Sequence, residues 1–243
     1  KEIKEKQEKE EKKAKKKRKK GDNTMIRVTV WNEFIHEQTE EPVKKIYPNG
    51  IHQAIADILK TDEEIEIRTA TQQDPEHGFS QKMLDETDVL IYWAHVGHAE
   101  ITYEEANRVK EAVLKGMGII FLHSAHASRP FSMLLGTSGS LSWREDGDKT
   151  RLWILSPEHP ILKGINKPFI ELEHEETYSE RFDIPAPDDL LTITWYEGGE
   201  VFRSGCCWKR GLGKIFYFQP GHETYPIYYN QDVQTVIKNA VHW

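Results

Sequence analysis

The sequence predicts an α/β protein: a doubly wound, mostly parallel sheet carrying an antiparallel extension. Three observations lead there. Apolar strand patterns alternate with amphipathic helix patterns through the first half of the chain. Single helices separate successive strands. Residues 137–215 then change character, to short strand-like pieces joined by Gly/Pro turns. Parallel neighbours need right-handed crossover helices that cover both faces of the sheet, so the expected arrangement is flavodoxin-like.

Each element has its own signal. "MIRVTVWN" (25–32) reads as a buried strand. "GIHQAIADILK" (50–60) reads as a helix with Ile51, Ala54, Ile55, Ile58 and Leu59 on one face. "EIEIRTAT" (64–71) and "DVLIYWAH" (88–95) are the second and third strands. Thr102 and Glu105 form a capping box that opens the next helix, and Gly116 closes it. "GIIFLH" (118–123) is a fourth strand leading to a short helix around "PFSMLLG" (130–136). The extension is expected from "RLWIL", "FIELEH", "LLTITWY", "EVFRSGCCW" and "GKIFYFQ". A last helix, "DVQTVIKNAVHW" (232–243), turns Val233, Val236, Ile237, Ala240 and Val241 to the core.

Residues 1–24 are set apart by composition. They hold 12 Lys/Arg and 6 Asp/Glu with Ile3 as the only large apolar residue, too little to repay ordering, and Met25 follows directly. They are expected to be a charged tail, disordered or expression-derived, ahead of a single α/β domain over 25–243. With the tail set aside, the chain's 33 basic and 40 acidic residues leave 21 and 34, a net of −13, which disfavours nucleic acid as a partner. No apolar run reaches the roughly 20 residues of a membrane span. The only two cysteines, Cys206 and Cys207, are adjacent, which argues against a disulfide framework, suits a cytoplasmic protein and makes both core thiols.

Ligands of an open parallel sheet bind beyond the carboxyl ends of its strands. Those ends are rich in polar chemistry here: Trp31, Asn32, Glu33 and His36; Trp93, His95 and His98; His123, Ser124 and His126; then His174, Glu175, Glu176 and Tyr178 from "ELEHEETY", and His222 and Glu223 from "QPGHET". With His52, eight of the eleven histidines fall at or near such positions, which points to a functional cleft. "HVGH" and "HSAH" share the H-x-x-H spacing, which can bring two imidazoles together around a divalent metal, zinc first; hydrogen-bonded histidines around a sugar or organic-acid pocket are the other reading. Ser124 holds the place of a nucleophile elbow but lacks the glycines of G-x-S-x-G, and serves equally as a helix cap. Trp31, Trp93, Tyr178, Tyr225 and Tyr228 could offer flat faces to a sugar ring, whereas Trp153 and Trp195 are expected in the core.

"VWNEFIHE", "YPNGIH", "DVLIYWAHVGH", "GIIFLHSAH", "LSWRE", "ELEHEETY", "EGGEVFRSG" and "GKIFYFQPGHETYP" together resemble the ThuA-like trehalose-utilisation proteins across essentially all of residues 25–243. The resemblance implies a class I glutamine amidotransferase-like fold. It maps the family's shared histidines onto His36, His123 and Gly221-His222, and its acidic-x-Tyr element onto Glu176 and Tyr178. The additional His95, His98 and His126 resemble a shorter, bacterial branch. True glutaminases need a cysteine at the elbow, where this chain offers Ser124, so glutamine hydrolysis is not carried over.

The implied role is carbohydrate catabolism on a disaccharide or its 3-keto derivative. His123 and His222 would move protons, assisted by Glu176 or Glu223, with Ser124 beside them and Trp31, Asn32, Glu33, Trp93, His95 and Tyr178 binding the sugar. A metal would sit on His36, His98 and His126, and no nucleotide cofactor is expected. Two rival readings stay open: a non-catalytic sugar-binding or regulatory protein, and a serine hydrolase using Ser124, His222 and Glu223. Exposed aromatics would support a homo-oligomer.

Overall fold

A computed structural model describes residues 25–243, so the tail expected over 1–24 lies outside the described residues. The first half alternates strands and helices: β1 (Ile26–Asn32), α1 (His36–Thr39), α2 (Glu41–Ile46), α3 (Ile51–Leu59), β2 (Ile65–Thr71), α4 (Gln81–Asp85), β3 (Val89–Trp93), α5 (Tyr103–Lys115), β4 (Gly118–Leu122) and α6 (Arg129–Leu135). The second half is β5 (Ser142–Ile154), β6 (Phe169–Ser179), β7 (Asp189–Tyr196), β8 (Val201–Arg210), β9 (Gly213–Phe218) and α7 (Gln231–His242). Among the described residues no helix is long and apolar enough to cross a membrane.

All nine strands form one sheet in the order β2-β1-β3-β4-β9-β8-β7-β5-β6. β2, β1, β3, β4 and β9 pair in parallel, and β9, β8, β7, β5 and β6 pair antiparallel. The segment "GKIFYFQ", expected within the extension, is therefore the seam between the two halves, parallel to β4 on one side and antiparallel to β8 on the other.

Alternate residues of the central strands enter two cores. Ile91, Trp93, Ile120 and Leu122 pack under α3 and α7 with Ile55, Leu59, Val236 and Ile237. Leu90, Tyr92, Ile119 and Phe121 pack under α5 and α6 with Val109, Val113 and Phe131. Burial on both sides explains why these strands read as near-continuous apolar runs. Each such side chain contributes on the order of 1.5–3 kcal/mol.

Local signals agree with the packing. Thr102 caps α5 through the Glu105 amide, and the Glu105 carboxylate reaches back to Thr102, completing the capping box. Gly116 ends that helix at φ 124°, in the left-handed half of the map that favours glycine. Helices α1, α2 and α4 span four to six residues, too short to show a period in the sequence. The expectation for Trp153 fails: its side chain stands in the outward row of β5 next to inward Leu152 and is 42% exposed. Cys206 and Cys207 are free, buried thiols whose pKa burial pushes up.

Candidate functional site

The carboxyl ends of the parallel strands converge four imidazoles. His36 follows β1, His95 follows β3, His123 follows β4 and His222 follows β9. Ring centroids lie 5.1 Å apart for His36–His95, 5.7 Å for His95–His123, and 5.3 Å for both His95–His222 and His123–His222. Of the carboxylates, Glu223 follows β9 beside His222, and β6 brings Glu175, Glu176 and Tyr178 across from the antiparallel half.

His123 occupies the sharp turn straight after β4, with φ 52°, a left-handed conformation that costs a non-glycine residue on the order of 1–3 kcal/mol. The elbow residue is thus the histidine, and Ser124 comes one step later. Nδ1 of His123 faces the Gln219 carbonyl at 3.1 Å, and Nε2 lies 3.0 Å from Glu176 Oε2. Burial alone would depress this imidazole. The Glu176 hydrogen bond, with the charges of Glu176, Glu175 and Glu223, more than offsets it and raises the pKa to about 9. Burial raises the Glu176 carboxyl, but His123 outweighs that and holds it below its ordinary range. The two make a buried imidazolium–carboxylate pair.

Tyr178 stacks on the His123 ring at 5.3 Å, and its hydroxyl lies 2.6 Å from Ser124 Oγ and 3.4 Å from His123 Nε2. Ser124 therefore shares its hydrogen bond with a phenol rather than an imidazole.

A second group surrounds Glu223. Its Oε1 lies 2.6 Å from His36 Nδ1 and 3.3 Å from His95 Nδ1, and its Oε2 lies 3.9 Å from His222 Nε2. Nδ1 of His222 is tied to Thr224 Oγ1 at 2.7 Å. Burial is the main cause that lowers both His95 and His222 to about 4, leaving them neutral at pH 7. For Glu223, burial opposes ionisation, but the His36 hydrogen bond and the charges of His222, His95 and His123 bring the carboxyl down to about 2. His95, His123, His222 and Glu223 each place one donor atom within 4.8 Å of the others. Two buried donors, His95 Nδ1 and Glu223 Oε2, have no hydrogen-bond partner among the described residues. Neutral imidazoles and an ionised carboxylate with orphaned donors are the ligand types a zinc-class divalent cation takes.

That set differs from the expected His36, His98 and His126. His36 stands one layer out, on Glu223. His126 turns its Nδ1 to the Gly139 carbonyl at 2.7 Å, its ring edge-on to Tyr178, and burial lowers it to about 3. Neither ring nitrogen of His98 has a hydrogen-bond partner among the described residues. In "HSAH" the spacing does not bring the two rings to one ligand: His123, at φ 52°, holds its Nε2 on Glu176, while His126 turns to Gly139.

The expected sugar-binding residues divide. Tyr178 and His95 line the cluster. Trp31 does not: its ring packs with Phe79 and Tyr92 in the core and its Nε1 donates to the His77 carbonyl. Trp93 lies in the opposite core, with Nε1 donating to the Gly221 carbonyl. Asn32 bonds Glu37, His52 and the Phe34 amide, and Glu33 accepts from the Val96 and Gly97 amides. These four shape the floor and loops of the site. Tyr225 packs beside His222 with ring centroids 5.5 Å apart, His174 lies behind it, and Tyr228 is fully buried.

The sequence context of Glu175 assigns it no role. The structure buries it fully, and it accepts from the amides of Glu176, Gly221 and His222, so it positions the His222 loop. Burial still pushes its carboxyl up to about 7.

A family model described as ThuA, trehalose utilisation, matches residues 27–243. A ThuA-like protein of Parabacteroides merdae superposes with a TM-score of 0.67 at 15% identity, over 90% of each chain. PurLQS of Thermotoga maritima follows at 0.53 and 13%, over 90% of this chain and 99% of that one. A β-galactosidase of Bacillus circulans gives 0.56 and 15%, over 89% of this chain and 31% of that one. At these identities the likeness is one of fold, and it places the sheet in the flavodoxin-like, amidotransferase-like class. No curated protein matches the sequence.

Proposed function

The chain belongs to the ThuA trehalose-utilisation family, and from that premise we propose that it is a carbohydrate-catabolism enzyme acting on a disaccharide or its 3-keto derivative by histidine–carboxylate proton transfer. The observation that carries the reading is the buried His123–Glu176 pair, 3.0 Å apart, at the point where three further imidazoles and Glu223 meet. An oxidised glycoside has an acidified hydrogen on the carbon beside its carbonyl. Losing that hydrogen lets the glycosidic C–O bond break, and the departing oxygen needs a proton. Glu176, ionised in the pair, takes the proton leaving carbon, His123 gives the departing oxygen its proton as imidazolium, and transfer from Glu176 to Nε2 then restores the pair. Groups held at separated pKa values are how one site runs acid and base steps near neutrality.

His95, His222 and Glu223 are the residues suited to hold a divalent cation, zinc first, leaving His123 to the protons. Such an ion would act as a Lewis acid toward the carbonyl oxygen. His36 orients Glu223 from behind, as supporting residues of metal ligands do. Ser124 is a neighbour that fixes Tyr178 rather than a nucleophile. The substrate approaches past His95, the more exposed of the inner histidines.

Assay of the purified protein on 3-ketotrehalose, beside its His123→Ala variant, tests the reading. Turnover by the native chain that falls at least about a hundredfold in the variant is expected. Unchanged turnover would remove His123 from the chemistry.

A further inference from the structure

Near His222 the first part of β5 departs from regular pairing with the edge strand β6. Trp143 and Arg144 pair with Tyr178 and Thr177, and pairing resumes at Asp148 with Glu175, so four steps along β5 oppose two along β6. Glu145, Asp146 and Gly147 thus oppose Glu176 alone and bulge out. Two features fix the bulge. Gly147 has φ 68°, where a side chain is strained, and a Cβ there would come within 2.7 Å of the Tyr225 hydroxyl and push that ring aside. Arg144 ties the two sides together by bonding Asp146, Asp148 and Glu200.

The bulge aims Glu145 at the site. Its carboxylate, half exposed, lies 3.8 Å from His222 Nε2. Trp143 stands directly opposite Tyr178, and directly opposed residues of antiparallel strands put their side chains on the same face. That is the face on which Tyr178 stacks against His123. Trp143 is 65% exposed, the most exposed tryptophan of the chain. Such a ring stands largely in water and loses the gain of burial, and no aromatic ring among the described residues pairs with it. Glu145 follows Trp143 by two residues, close enough for a ring to lie on the indole while one of its hydroxyls reaches the carboxylate.

Resting on the carbohydrate reading above, we infer that Trp143 and Glu145 form a sugar-binding lip over the site: the indole stacks under a pyranose ring and the carboxylate accepts its hydroxyls. The bulge makes the lip a fixed part of the sheet, so the sugar meets a preformed surface.

The test is calorimetric titration of trehalose into the native chain and into His123→Ala, Trp143→Ala, Trp143→Phe, Glu145→Gln and Gly147→Ala variants, with circular dichroism verifying the fold. The native chain and His123→Ala bind. Trp143→Ala, Glu145→Gln and Gly147→Ala each raise the dissociation constant about tenfold or more, and Trp143→Phe keeps most of the affinity. Trehalose bound equally by the native chain, Trp143→Ala and Glu145→Gln overturns the lip while leaving the carbohydrate reading in place. No binding by the native chain overturns that reading and the lip with it.

Discussion

Nε2 of His123 lies 3.0 Å from Oε2 of Glu176, with both side chains buried, so each charge depends on the other for its stability. Replacing Glu176 with Gln leaves the imidazole buried without its counter-charge. The His123 titration, read by NMR, then moves down from about 9. Turnover falls roughly 10²–10⁴-fold with KM little changed. An imidazole that titrates as before in Glu176→Gln would contradict the pairing.

The donors around Glu223 predict a stoichiometric cation. Elemental analysis of the native protein should find about one divalent ion per chain, and His222→Ala or Glu223→Gln should lose most of it. Dialysis against a chelator should lower Tm, because an ion that binds only the folded chain adds stability. Native protein that carries no ion and gains no stability from added zinc removes the cation from the proposal.

Ser124→Ala should keep most of the turnover. The lost hydrogen bond to Tyr178 costs about 1 kcal/mol of stability, and a phosphonate inhibitor should leave Ser124 unlabelled. Covalent labelling at Ser124, or an inactive Ser124→Ala, would restore the serine-hydrolase reading.

Glu175 gives the protein a pH-dependent stability of definite sign. Its folded pKa, about 7, lies above the ordinary carboxyl value of 4.5. Between those values the folded chain holds a proton that the unfolded chain has released, so stability declines as pH rises through this window. The loss is on the order of 1–3 kcal/mol. Thermal unfolding of Glu175→Gln at pH 5 and pH 7.5 should show a smaller difference than the native chain. An equal difference would mean that Glu175 is ionised throughout.

Much of this arrangement was legible in the sequence because two rules act locally. Apolar periodicity located the strands of the parallel half, and the strand-end rule then placed His36, His95, His123 and His222 on one rim. What stayed hidden depends on direction. Trp31 and Trp93 end strands buried on both faces, and nothing in an unbroken apolar run tells which end residues turn into the cores. His98 and His126 share a spacing with His95 and His123, but the spacing does not tell that His126 turns to the Gly139 carbonyl and that His98 stays outside the cluster. Glu145 sits in a bulge, which breaks the two-residue period by which a strand would be read.

The continuity of the sheet across β9 has a consequence for the order in which chemistry can arise. The first four strands in chain order supply His36, His95 and His123, and the later strands supply His222 and the counter-ions; His36 and Glu223 are 187 positions apart. A growing polypeptide that has completed four strands holds His36, His95 and His123 with neither Glu176 nor Glu223 to charge or orient them. The proposed proton transfer would therefore wait until the chain is completed through Glu223.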